Sequence, residues 1–367
     1  MISAFLQATT LFALMATLAD AAVLSKRDVK QSITLDGAGP NNIREGRSYS
    51  AKVRLSGDDD FDLLVDTSSS PSWVMHESCQ KCKEAGIKTF NVDLPETCTD
   101  SGKDRGIITY SDKTKVTGCI VYIPLTLDGV DKEVTDYPLL VVTEPDERSL
   151  DFMAYNGLNG FLGLGESNNL PPSVLDYMKD QQIISTTEIG LYLPRNGQGE
   201  GTLEFGDLSQ SNHMDPTKAA TFQQDGETDE PYRIVVDALT INGTNVAENF
   251  TARLNTGFQG IVYPKGIQDK FPAHYRPQQP TGGYMQGKAL CNSPDIVKIT
   301  IKSQEFTIDP KDLSVPSSSP DECSPSITEI FSYDEEEVWY FGMTFFHNVY
   351  SSFNWENGEI KIAALRD

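Results

Sequence analysis

Apolar and polar residues alternate along most of this chain. Tyr49-Ser50-Ala51-Lys52-Val53-Arg54-Leu55, Gly118-Cys119-Ile120-Val121-Tyr122-Ile123 and Ile296-Val297-Lys298-Ile299-Thr300-Ile301 all show the period of two expected of strands with one face in a core. Gly, Asn, Asp and Pro interrupt the runs. Ile234 to Ile241 leads into Asn242-Gly243, a dipeptide that suits a two-residue hairpin turn, so this segment reads as a hairpin arm. One stretch has helical spacing, Ser173 to Gln181 after Pro171-Pro172, with Val174, Leu175, Tyr177 and Met178 apolar. The pattern predicts a mainly β protein with short helices. No repeat of short period is present, but the halves echo each other. Each has an apolar run ending in an acid-or-amide, Thr, small-residue turn: Phe61 to Ser70, and Thr251 to Gly257. Each later has two apolar residues and a glycine: Phe161-Leu162-Gly163 and Tyr340-Phe341-Gly342.

At 367 residues the chain exceeds one ordinary core and suits two. Its formal net charge is −23 and no long basic run is present, which argues against nucleic acid or anionic membrane as a partner. Ile2 to Leu18 carries no charge, and Ala19-Asp20-Ala21 has the small-x-small form of a cleavage site. Residues 1–21 are therefore read as a signal peptide. Lys26-Arg27 resembles the dibasic site of fungal-type processing proteases, which makes 22–27 a short propeptide and starts the mature chain near Asp28. The expectation is a secreted, extracellular protein of fungal origin without a membrane anchor; neither a second long apolar stretch nor a GPI-type tail is found.

Six cysteines in an exported chain predict disulfides. Cys79, Cys82, Cys98 and Cys119 could pair in any of three ways; zinc at Cys79-x-x-Cys82 is the rival reading, disfavoured by export. Asn242-Gly243-Thr244 and Asn249-Phe250-Thr251 are glycosylation sequons. His76, His213, His274 and His347 read as surface or internally satisfied residues, with no HExxH or Gly-x-Ser-x-Gly motif beside them. Asp58-Asp59-Asp60 and Asp334 to Glu337 read as solvated turns, Val315 to Pro320 as a surface loop, and Asp62 and Asp237 as exposed acids. No cofactor or metal is expected.

The two turns, Asp66-Thr67-Ser68 and Asn255-Thr256-Gly257, resemble the paired Asp-Thr-Gly turns of the pepsin-like (A1-type) aspartic peptidases, and the likeness extends over nearly the whole mature chain. Trp73-Val74 follows the first turn at the family's spacing, and Thr109-Tyr110 stands where the family has its flap tyrosine. Asn159 to Leu164, Gly201 to Asp207, Tyr340 to Phe346 and Tyr350 to Asn354 resemble later family segments in the same order. The resemblance implies an all-β, bilobal acid-protease fold of two related barrel-like lobes, 28–209 and 210–367, with a cleft between them. It also implies a Cys291–Cys323 bridge in the second lobe, Thr67 and Thr256 lacing the two turns together, Trp73 supporting Tyr110 over the cleft, and a monomer.

The family's chemistry uses two facing carboxyls that share one proton, as the pair in pepsin does. One acts as base toward water and the other as acid toward the peptide carbonyl. Here Asp66 is retained and Asn255 stands in the second place. An amide accepts and donates hydrogen bonds but does not ionise. Three further departures surround the site: Ser68 for a glycine, Phe258 for a small hydroxylated residue, and Tyr110-Ser111-Asp112-Lys113 for a glycine-containing flap. Ser68 and Phe258 lead to the expectation that Asn255→Asp alone regains little activity. The expected function is a catalytically impaired aspartic-peptidase homologue that binds a peptide or protein in the cleft through Thr67, Ser68, Trp73, Tyr110, Thr256, Gly257 and Phe258. The alternatives are an active acid endopeptidase working with Asp66, and a non-catalytic inhibitor-type binding protein resembling plant xylanase inhibitors.

Overall fold

The computed structural model describes residues 31–38, 48–57, 60–99, 102–110, 113–166, 171–195, 199–206, 208, 211–224, 232–276, 279–281, 284–286, 291, 293–316, 323–330 and 339–366. The expected signal peptide, propeptide and Lys26-Arg27 lie outside these residues. So do Asp58-Asp59, flap residues Ser111 and Asp112, the 209/210 boundary and Asp334 to Glu337.

The alternating pattern folds as strands. A 13-stranded sheet and a 9-stranded sheet carry most of the chain, with a small two-stranded one beside them. The larger sheet holds every first-half strand and also takes in Met214–Gln223, Val349–Asn354 and Glu359–Leu365 from the second half. Ser48–Leu55 pairs with Lys115–Leu127 as well as with Asp60–Asp66, which curls this lobe toward a barrel. The 9-stranded sheet is built from second-half strands only. Inward residues of both sheets merge into one core, including Leu63, Val65, Leu162, Leu254 and Phe341.

The hairpin forms as expected: Arg233–Ile241 pairs with Thr244–Leu254 around Asn242-Gly243, whose φ values of 52° and 76° suit the tight turn. The expected helix is Val174–Asp180, capped by the Ser173 hydroxyl. A longer helix, Glu147–Asn156, lies outside the sequence expectations; the Asp146 side chain caps its start and Gly157 ends it at φ 67°. Of the expected loop Val315 to Pro320, Val315-Pro316 belongs instead to a short strand, Ser314–Pro316, paired with Cys323–Pro325, and Ser317 to Pro320 lie outside the described residues. The disulfides are Cys79–Cys82, Cys98–Cys119 and Cys291–Cys323, one of the three arrangements open to the first four.

The echo between the halves is a shared topology. Asp60–Asp66 runs parallel to Gly160–Gly163, and Trp73–Met75 pairs antiparallel to that same strand. In the second half Thr244–Leu254 runs parallel to Trp339–Phe341, and Ile261–Tyr263 pairs antiparallel to it. Each turn motif therefore ends a strand held beside an apolar-apolar-Gly segment. The glycine is needed because the returning backbone passes close by. A Cβ on Gly163 would lie 2.3 Å from the Ser70 carbonyl oxygen, and one on Gly342 would lie 2.3 Å from that of Phe258.

Candidate active site

The two turns meet at the floor of a cleft of about 520 Å³ between the lobes. Thr67 and Thr256 are buried and laced together: the Thr67 N–H donates to Thr256 Oγ1 at 3.2 Å, the Thr256 N–H to Thr67 Oγ1 at 3.5 Å, and the Thr256 hydroxyl to the Val65 carbonyl at 2.8 Å. This cross-lobe bonding fixes the side chains on either side of it, Asp66 and Asn255, at the cleft floor.

Asp66 is 2 % exposed. Its Oδ1 accepts from the Ser68 N–H at 2.8 Å and from the Ser68 hydroxyl at 2.6 Å. Burial pushes the carboxyl above its ordinary range, against the pull of hydrogen bonds from Ser68 first and then Ser69. On the other side, Asn255 Oδ1 accepts from the Gly257 N–H at 2.7 Å. A Cβ on Gly257 would lie 3.0 Å from Asn255 Oδ1 and 3.9 Å from Asp66 Oδ1, so both oxygens border one small space. Among the described residues lining the cleft, Asp66 is the only carboxylate.

The other expected cleft residues gather at the same place. The Trp73 indole N–H donates to the Tyr110 hydroxyl at 2.6 Å, and both rings pack on Phe161, Trp73 stacked at 4.8 Å and Tyr110 tilted at 5.6 Å. Ser68, Gly257 and Phe258 line the cleft. The Phe258 ring stacks on Tyr340 at 5.0 Å, and the Arg253 guanidinium lies 5.6 Å from the centre of the Tyr340 ring. Lys113 in the flap hairpin has φ 67°, a left-handed conformation in which glycine is usual.

Two parts of the site do not follow from the sequence reading. The helix Glu147–Asn156 supplies one wall through Arg148, Phe152 and Met153. Its cues are Asp146 at the start and Gly157 at the end, overshadowed by the strand signals around it. Tyr232 is buried behind Asp66 in a left-handed conformation (φ 72°); burial first, then the Asp66 charge, holds its hydroxyl well above the ordinary tyrosine range. Nothing in its sequence neighbourhood points to that role.

The remaining candidates lie away from the cleft. Asn242 is exposed but its amide is engaged: its Nδ2 donates to Asp295 at 2.6 Å and its Oδ1 accepts from the Ile296 N–H at 2.9 Å. Asn249 is exposed on Thr244–Leu254. All four histidines have neighbours: His76 bonds Ser78 and the Val92 carbonyl, His274 pairs with Asp295, His347 with Asp312, and His213 stacks on Tyr192. Asp62 lies 3.9 Å from Lys52, and Asp237 accepts from the Ser303 N–H.

Mirrored strand pairs, two laced turns and a buried carboxyl on the floor of an interlobe cleft define a pepsin-like architecture. The profile of the eukaryotic aspartyl protease family matches residues 48–365, and the chain belongs to that family. It is similar to the aspartic-type endopeptidase ctsD of Aspergillus fumigatus, 28 % identical over 92 % of this chain and 71 % of that protein. It is also similar to a probable aspartic-type endopeptidase CTSD of Trichophyton verrucosum, 25 % identical over 89 % of this chain and 63 % of the relative. Pepsin A of Sus scrofa is 22 % identical over 83 % and 78 %. The chain thus spans between three-fifths and three-quarters of the length of the two fungal relatives. Among the described residues no helix is long and apolar enough to cross a membrane.

Proposed function

We propose that this protein is a secreted aspartic-peptidase homologue whose cleft binds peptide or protein segments and hydrolyses them poorly or not at all. One observation carries the reading: the position facing Asp66 is an amide, and no other carboxylate lines the cleft among the described residues. Hydrolysis without a covalent intermediate needs one group to take a proton from water while another gives one to the carbonyl. Asn255 does neither, since an amide has no proton equilibrium in the working range. Loss of such a partner costs on the order of 10²–10⁴ in rate, and more where two groups act as a unit.

The binding half of the reading is supported by what is retained: the laced threonines, the Trp73–Tyr110 bond, and an open cleft walled by Phe152, Phe161 and Phe258. The same features favour a second reading, an active acid endopeptidase, and the fungal relatives are named as endopeptidases.

Incubation of the folded protein with quenched peptide libraries at about pH 3–6, with and without pepstatin, separates the two. The first reading expects pepstatin to bind and cleavage to stay at background, with Asn255→Asp raising hydrolysis by about 10²-fold because the Gly257 N–H is already placed to hold a second carboxylate. That gain leaves the variant well short of a full dyad, in keeping with the expectation from sequence, since Ser68 still bonds Asp66 and Phe258, though stacked on Tyr340, still walls the cleft. Pepstatin-sensitive cleavage by the unmodified protein at a rate matching that variant would establish the second reading. Absence of pepstatin binding by either form would end the assignment of a peptide-binding cleft.

A further inference from the structure

The helix Glu147–Asn156 turns one face to the cleft. Arg148 and Phe152 line it, as do Ser149 and Met153, and residues four apart stand one turn from each other on the same helix face. Phe152 and Met153 make one end of this wall apolar: Met153 is buried, and the Phe152 ring lies 6.4 Å from that of Phe161. Arg148 makes the other end cationic. Its side chain is 61 % exposed, and its Nε lies 3.6 Å from Asp146 Oδ1, an oxygen that also accepts the Arg148 backbone N–H at 2.9 Å. A guanidinium carries its donors in one plane and suits a two-point grip on a carboxylate. An exposed pair as long as Arg148–Asp146 is weak, so a ligand's carboxylate can compete with it.

The rest of the cleft supplies little charge to oppose this. Among the described lining residues the charged ones are Asp66 and Arg148, and Asp66 is buried at the floor. The facing wall, from the second lobe, is uncharged and includes Val262, Ser324, Ser326 and Thr328. On the helix itself Glu147 is exposed, 3.7 Å from Lys81, and Asp151 is exposed; neither lines the cleft.

We propose that Arg148 is a specificity-determining residue, selecting peptides whose Glu or Asp side chain stands two residues from an aromatic or large apolar one. The spacing follows from two geometries. Four residues of helix rise about 6 Å. Successive side chains on one face of an extended peptide are about 6.6–6.8 Å apart. An extended segment lying along this wall therefore meets the guanidinium with one side chain and Phe152–Met153 with the next on that face. A spacing of one residue sends the acid to the opposite face. The proposal rests on the cleft being peptide-binding, and it names the chemistry of the peptide.

The test is fluorescence anisotropy of labelled, end-capped peptides with the folded protein at about pH 6, where a free Glu is ionised. Salt at about 0.15 M screens the long-range repulsion from the chain's net charge of −23. Each peptide carries one Phe and either Glu or Gln, placed one or two residues away from it. At a spacing of two the Glu peptide is expected to bind about three- to tenfold more tightly than its Gln twin. At a spacing of one the two are expected to agree within about twofold. Arg148→Lys should keep part of the Glu advantage, Arg148→Gln should remove it, and Arg148→Glu should reverse it. Pepstatin binding to the unmodified protein reports separately on the cleft. If pepstatin binds and Glu has no advantage at a spacing of two, the role of Arg148 is overturned and the peptide-binding reading stands. A Glu advantage that persists in Arg148→Glu, or is equally large at a spacing of one, overturns that role as well. If neither pepstatin nor any peptide binds, the reading and the specificity fall together.

Discussion

At the scale of single residues, the two sequons have different fates. The Asn242 amide spends both of its polar atoms on Asp295 and Ile296, inside a knot that His274 and Ser293 also enter. Both residues are exposed, so the difference lies in the engaged Asn242 amide. In protein secreted from a eukaryotic host, the glycan is expected at Asn249 and not at Asn242, read by peptide mass spectrometry after enzymatic deglycosylation; occupancy at Asn242 alone would contradict it. Asp66 leads to a second residue-scale prediction. Its folded-state proton affinity is raised, so the native state binds this proton more strongly than the unfolded chain does. Stability from this source is fully present below the ordinary carboxylate range and is lost as pH climbs through the raised value. The Tm of the wild type should therefore fall relative to that of Asp66→Asn as pH rises from about 4; a difference constant with pH would refute this. From sequence, Asp66 and Asn255 are legible because a short motif recurs. Tyr232 is not, because nothing local distinguishes a tyrosine buried behind a carboxyl from one in an ordinary strand.

At the scale of elements, the site is two copies of one device: a strand, a turn, and a third strand whose glycine lets the chain return. Gly163→Ala and Gly342→Ala each drive a methyl group into a backbone carbonyl that no rotamer can move aside. Each is expected to cost more than about 4 kcal/mol or abolish folding, measured by urea denaturation. A loss under about 1 kcal/mol would mean that the strands yield. Trp73→Phe removes the donor to Tyr110 and leaves the stack on Phe161 largely in place, so about 1–2 kcal/mol is expected, with weaker pepstatin binding. The strands and the Asn242-Gly243 hairpin follow from period-two patterning, because each buries one face. The helix Glu147–Asn156 does not stand out in the sequence because only Leu150 and Met153 among its apolar residues are fully buried, too thin a stripe to register. With it goes the Arg148–Met153 wall of the cleft.

At the scale of the whole molecule, the halves are joined by more than the laced threonines. Arg195, from the first half, places its guanidinium on both oxygens of Asp312 at 2.8 Å and on Asn348 at 3.0 Å, while His347 approaches the same carboxylate at 3.3 Å. Burial works against the Asp312 charge, yet the bonds from His347 and Arg195 hold its carboxyl below the usual range. This group adds stability above the ordinary carboxylate pKa and loses it as pH falls through the lowered value. Asp312→Ala leaves Arg195 without its main partner and is expected to cost about 3–5 kcal/mol by denaturant titration near neutral pH. The cost should shrink toward acid; one that grew would contradict the assignment. No local pattern announces this clamp, since its members lie far apart and none sits in a motif.

The larger sheet also dictates an order of assembly. Glu188–Tyr192 pairs on one side with Gly201–Phe205 and on the other with Val349–Asn354, and that strand in turn needs Glu359–Leu365. A growing polypeptide that has emerged as far as residue 340 already holds every strand of the first lobe, but with one side of Glu188–Tyr192 bare and ready to pair with a neighbour. Closure must wait until Val349–Asn354 and Glu359–Leu365 have emerged, so a pause before them leaves the chain at its most vulnerable to sticking to its own kind.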